Sequence, residues 1–194
     1  MALNVVRAGV ALVIMCGATA IAGDRIMCGA PAIAGVPHDV RDVPLVDQRG
    51  AAFTLRALAR PTAVIFVASR CTDACPIAEA LFARLDAKLR RAHVDARLLT
   101  VTLEPDYDRP FVMARKARTF NADPARWRWA SGDPAAVRRV LDAFNVPRLD
   151  GKFHGTFAYV LDARALPARL VLLSTAADDE LLNDLRAAAA RRTH

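Results

Sequence analysis

Lysine is nearly missing from a chain that is otherwise basic. The net charge is +7, yet lysine occurs only at Lys88, Lys116 and Lys152, and the rest of the positive charge is arginine. Those arginines are scattered, as at Arg84, Arg90, Arg97, Arg115, Arg126 and Arg138. Aromatic residues are scarce too, at 6%. A nucleic-acid footprint needs a basic stripe with aromatics interleaved, so nucleic acid is excluded as a partner. The surplus charge reads as a solvated surface near an anionic membrane or an acidic partner. Long apolar runs are lacking as well. The run Ala8 to Ala22 falls short of the roughly 20 residues a membrane span needs. Cysteine is limited to Cys16, Cys28, Cys71 and Cys75.

What is present divides the chain of 194 residues into a leader and one domain. Residues 1–35 read as a secretory signal or an N-terminal membrane anchor. Arg7 precedes the apolar run, and Ala20-Ile21-Ala22 is a small-residue cleavage signal before Gly23. The leader also holds a duplication: Ile14 to Gly23 recurs as Ile26 to Gly35, with Thr19 replaced by Pro31. The copy adds a second cleavage site after Ala34. Cys16 and Cys28 each follow Met, where a lipid-attachment signal wants a small residue. Cleavage after Ala34 leaves Cys71 and Cys75 as an isolated pair in an exported protein. Export implies an oxidising compartment, so that pair must be kept reduced or metal-bound to stay open. Residues 36–43 read as a linker and 44–192 as the folded domain.

The domain is organised around Phe66 to Pro76. The apolar, β-branched run Thr62 to Ala68 predicts a central strand covered on both faces. Pro76 to His93 predicts a helix, with Ile77, Leu81, Leu85 and Leu89 at core-facing spacing. Cys71 and Cys75 therefore lie where a buried strand ends and a helix begins. Unpaired N–H groups and the helix dipole favour thiolate there. If the first turn is helical, four-residue spacing stacks both sulfurs on one face. Such a pair can bind a soft metal ion or close a disulfide.

Along the rest of the chain, Leu45 to Leu55 predicts two short strands around an Arg49-Gly50 turn, and Leu55 to Ala59 a helical turn. Arg97 to Leu103 is a second buried strand. Glu104 to Pro110 is an acidic loop in which Asp108 suits the N-cap of a helix running to Phe120. Arg126 to Trp129 is a short strand. Asp133 caps a helix over Ala135 to Phe144, and Asn145 to Phe153 is a loop. Strands at Thr156 to Leu161 and Leu170 to Leu173 precede a closing helix, Asp178 to Arg191. This order predicts an α/β domain, a mixed central sheet with helices on both faces. It matches the thioredoxin-like fold, whose active cysteines also follow the first central strand.

Of the four histidines, His38 lies in the linker, His93 ends a helix and His194 ends the chain. His154 precedes a core strand, in the loop that faces the cysteine helix in a thioredoxin-like sheet and usually carries a cis-proline. Two thiolates and an imidazole suit copper or zinc. With no obvious fourth ligand, Cu(I) in trigonal geometry is favoured.

These motifs together resemble the Sco/SenC family, thioredoxin-like copper proteins of cytochrome c oxidase assembly. Cys71-Thr72-Asp73-Ala74-Cys75-Pro76 matches the family's C-P-D-x-C-P except at Thr72. Glu104 to Pro110 parallels D-P-E-x-D-T-P, and Asp47-Gln48-Arg49-Gly50 parallels D-Q-x-G. Trp129 to Pro134 is similar to L-T-G-D-P. His154 precedes Tyr159-Val160-Leu161-Asp162 by the spacing of the family's metal histidine before Y-L-I-D. Thr72, Ala68 and Gly155 depart from the pattern, and none of them removes a ligand. The resemblance implies copper binding, as Cu(I) or Cu(II), by Cys71, Cys75 and His154. It implies delivery to the CuA-carrying oxidase subunit, with a periplasmic copper carrier or thiol reductant upstream. The same dithiol also permits a periplasmic thiol–disulfide reductase, although its three intervening residues differ from C-x-x-C. A peroxidase would need Arg70 to activate one thiolate.

Overall fold

The computed structural model describes residues 38–149, 152–153 and 157–191. The first strands, β1 (Leu45–Val46) and β2 (Ala52–Phe53), pair antiparallel across the Arg49-Gly50 turn. The buried Asp47 carboxylate fixes that turn, accepting from the Arg49 and Ala51 N–H groups at 2.9 and 3.0 Å. Next come β3 (Thr62–Val67), α1 (Ala74–Arg91), β4 (Arg97–Thr102), α2 (Pro110–Thr119), β5 (Trp127–Ala130) and α3 (Pro134–Ala143). A small hairpin, β6 (Arg148–Leu149) and β7 (Lys152–Phe153), precedes β8 (Phe157–Leu161), β9 (Pro167–Leu172) and α4 (Ala177–Ala190).

The central sheet has the order β5-β4-β3-β8-β9. β3 is parallel to β4 and antiparallel to β8, with Val64 beside both Leu99 and Tyr159. Every β3 residue is buried, as expected of a strand covered on both faces. Side-chain alternation then sorts the helices. Trp127 of β5 meets Phe82 of α1 and Phe120 at the end of α2. On the opposite face, Phe66 and Tyr159 pack edge-on against Phe144, which follows α3. α4 lies beside α1, tied by Lys88 to Asp178 at 2.9 Å. The mixed sheet with helices on both faces is thus the fold expected from the sequence.

Several local expectations need correction. The segment read as a linker includes a 3-10 turn, His38–Asp42, and Val40 and Val43 belong to the core. Arg41 is buried there and donates to the Arg164 carbonyl at 3.1 Å. Within the stretch read as a loop, β6 and β7 pair. α1 starts two residues earlier than expected, so Cys75 and Pro76 sit in its first turn, where an N–H has no helical partner and proline is tolerated. Leu81, Leu85 and Leu89 face the core, but Ile77 is 61% exposed: the buried face of the first turn is carried by Cys75 and Ala78, and Ile77 lies on its flank.

Asp133 does cap α3, accepting from the Ala136 N–H at 2.9 Å. Asp133→Ala is expected to cost about 0.5–2 kcal/mol in chemical denaturation while leaving the reactivity of both cysteines unchanged.

Candidate metal centre

Both cysteines lie at the carboxyl-terminal edge of β3, where the chain turns into α1. Cys71 sits two residues before the N-cap, Asp73, whose side chain makes no capping bond. The Cys71 sulfur takes the acceptor role instead and receives the Cys75 N–H at 3.4 Å. Its own N–H donates to the Ala68 carbonyl at 3.1 Å. Cys75 is buried inside the helix's first turn, and its sulfur accepts the Ala68 N–H at 3.4 Å. So the pair does not stack on one helical face. The loop folds Cys71 back until its sulfur meets the first turn of α1 at the Cys75 N–H. Both cysteines are free.

The two thiols differ in character. Burial works against ionising Cys71. The Cys75 thiol and the N–H groups of Asp73, Cys75 and Ala74 outweigh it, and its pKa falls below the ordinary value. Burial pushes Cys75 up to about 12, helped by its bond to Cys71 and the charges of Cys71 and Glu79, against the Ala68 N–H. The result is a half-exposed thiol that ionises readily beside a buried thiol that does not.

Asp108 holds the loop in place. It was expected to cap α2, but the N-cap is Arg109 and Asp108 lies one residue upstream, fully buried. Its carboxylate accepts from the Ser69 N–H at 3.0 Å, from the Ser69 hydroxyl, and from the Thr102 hydroxyl at 2.7 Å. The Ser131 hydroxyl donates to its carbonyl. Asp108 therefore ties the residue two before Cys71 to β4 and to the residue that follows β5.

Arg70 pairs with Glu104 at 2.8 Å and lies 4.2 Å over the Tyr107 ring. The groups that lower Cys71 are hydrogen-bond donors, and Arg70 is not one of them, which removes the support for a peroxidase. Sequence reasoning missed Glu79, one helical turn after Cys75. It is buried, bound through Oε2 to Lys116 at 2.8 Å, with Oε1 unpartnered. A carboxylate among Ala78, Leu81 and Phe82 carries no pattern that announces burial.

Among the described residues, no group of three His, Cys, Asp or Glu side chains is arranged to hold a metal ion. Cys71 and Cys75 supply two adjacent soft donors, a set that fits Cu(I). The expected third donor, His154, lies outside the described residues. No described helix is long and apolar enough to cross a membrane.

A family model described as SCO1/SenC matches residues 37–189. No curated protein matches in sequence. Solved structures match in fold. A SCO1/SenC family lipoprotein from Bacillus anthracis aligns with TM-score 0.68 at 20% identity, covering 75% of this chain and 92% of that one. Copper-bound ScoI from Bradyrhizobium japonicum aligns with TM-score 0.62 at 24% identity, covering 75% and 96%. BsSco, described as a member of the Sco family of cytochrome c oxidase assembly proteins and reported with a disulfide switch, aligns with TM-score 0.66 at 18% identity, covering 76% and 91%.

Proposed function

Because the chain belongs to the SCO1/SenC family, we propose that it is a copper-binding metallochaperone that delivers copper to the CuA centre of cytochrome c oxidase. Cys71, Cys75 and His154 hold the ion as cargo. The observation that carries this reading is the paired sulfurs at the strand-to-helix turn, one of them half-exposed and readily ionised. Two thiolates suit Cu(I), and an imidazole nitrogen makes Cu(II) accessible as well. The copper-bound relative and the oxidase-assembly relative support the same role. The partners are the oxidase subunit carrying CuA and, upstream, a periplasmic copper carrier or thiol reductant. The leader and the lipoprotein relative support export to the periplasm, free or anchored at the membrane.

The unequal thiols favour a second reading, a periplasmic thiol–disulfide reductase in which Cys71 attacks and Cys75 resolves. One set of variants separates the two. Cys71→Ser is expected to abolish tight Cu(I) binding in competition with a Cu(I) chelator; full retained stoichiometry would refute the site. His154→Ala is expected to weaken Cu(II) binding far more than Cu(I) binding and to leave disulfide reduction nearly unchanged. Wild-type Cu(II) binding with lost reductase activity would put the reductase in place of the chaperone.

A further inference from the structure

Among the described residues, four large apolar side chains stand exposed: Ile77, Tyr107, Phe111 and Leu172. Leu172 lies on the edge strand β9. The other three share the cysteine end of the molecule. Ile77 is in the first turn of α1, two residues past Cys75. Tyr107 lies under Arg70, next to Cys71 in sequence. Phe111, 69% exposed, is in the first turn of α2. β3 and β4 are parallel, so the helices that follow them start at the same sheet edge.

The outer face of α2 continues this surface. Val112, Met113 and Ala117 are its buried residues, which leaves Phe111, Arg115 and Arg118 along the opposite stripe. The helix contains no acidic residue, and Lys116 is neutralised by Glu79. Arg109 at its N-cap, Arg115 and Arg118 are exposed and in no ion pair among the described residues. Nearby acids are mostly engaged: Glu104 with Arg70, Asp106 with Arg138, and Asp108 within the buried network. Asp73 is the exposed carboxylate that remains.

We propose that this end of the molecule is a docking surface for an acidic protein domain, anchored by Ile77, Tyr107 and Phe111 and steered by Arg109, Arg115 and Arg118. The inference rests on the copper-delivery reading and identifies how the recipient is met. Aromatic and arginine side chains around a small apolar centre are the composition of a protein interface. Glu104 holds Arg70 over Tyr107, so part of the surface is ordered before binding, which lowers the cost of association. Unpaired arginines attract an acidic partner and speed encounter. A lipid surface would cover Cys71, through which the cargo must leave; a protein partner brings its own ligands to that point. Cu(I) passes by ligand exchange, thiolate for thiolate, with no change of oxidation state.

The test loads the full chain with Cu(I), mixes it with an apo CuA-carrying oxidase subunit and follows the second-order transfer rate at increasing salt. The wild-type rate is expected to fall about 10-fold or more from low to high salt. Phe111→Ser should slow transfer about 10-fold. Arg115→Glu with Arg118→Glu should slow it similarly at low salt and remove the salt dependence, while chelator competition reports unchanged Cu(I) affinity in every variant. Wild-type rates in both variants, or a salt-independent wild-type rate, would overturn the docking surface. Unaltered transfer with lost binding to phosphatidylglycerol vesicles would assign the face to membrane and overturn it equally. A wild-type chain that binds Cu(I) tightly yet transfers none would instead bring down the copper-delivery reading, and this inference with it.

Discussion

Asp108→Ala is expected to lower the unfolding free energy by about 3–5 kcal/mol. The residue is fully buried and no cation pairs with it among the described residues. Its oxygens accept from three donors, the Ser69 N–H, the Ser69 hydroxyl and the Thr102 hydroxyl. Alanine leaves all three without an acceptor and opens a cavity. Each orphaned buried donor costs roughly 1–3 kcal/mol, partly relieved where Ser69 reaches water. Removing a helix cap costs roughly 0.5–2 kcal/mol. Magnitude alone therefore separates the clamp seen in the structure from the cap expected from sequence. In thermal unfolding the loss corresponds to a fall in Tm of roughly 6–20 °C. A fall of only a few degrees would mean that the network contributes little. The site should respond as well, because the loop carrying Ser69 also carries Cys71. Below its Tm the variant should lose the contrast between the two thiols, with Cys71 alkylated more slowly than in the wild type.

Asp108 also marks what the sequence could not disclose. Asp-Arg-Pro ahead of a helical pattern reads as a cap, because capping is local and has a spacing. The contact with Ser69 joins residues 39 apart in the chain, and no local pattern encodes it. The same holds for Val40 and Val43, which looked like linker because their partners lie far away in sequence. Glu79 was unreadable for the opposite reason: its helical position is plain, but only the approach of α2 supplies Lys116 and makes burial tolerable. β6 and β7 are two residues each, too short for any period to register. Strong signals carried through. β3 was apolar from Ala63 to Val67, α1 kept Leu81, Leu85 and Leu89 on one side, and the cysteines fell at the turn between them. Ile77 shows the limit of such a pattern: it falls one turn before Leu81, yet Cys75 and Ala78 beside it take the buried face and leave it exposed.

The thiols themselves give the last prediction, a steep dependence of Cu(I) affinity on pH. Copper binds thiolates, so any proton still on a ligand sulfur must leave on binding, and affinity rises with pH. Burial holds Cys75 near 12, so that sulfur is protonated throughout the neutral range and releases one proton per ion bound. Cys71 lies below the ordinary thiol value, and its hydrogen-bond donors keep it there. Above the Cys71 pKa one proton leaves and the affinity constant gains about 10-fold per pH unit. Below it, both sulfurs release protons and the gain becomes about 100-fold per unit. From pH 8 to pH 6 the affinity should therefore fall by at least about 100-fold. His154, as the proposed third ligand, must also bind copper as the neutral imidazole, so His154→Ala should flatten the acid limb alone. The measurement is chelator competition across pH, with potentiometric counting of protons released. A wild-type affinity independent of pH between 6 and 8 would mean that Cys75 is not a ligand, since a buried thiol with so high a pKa cannot bind Cu(I) without giving up its proton.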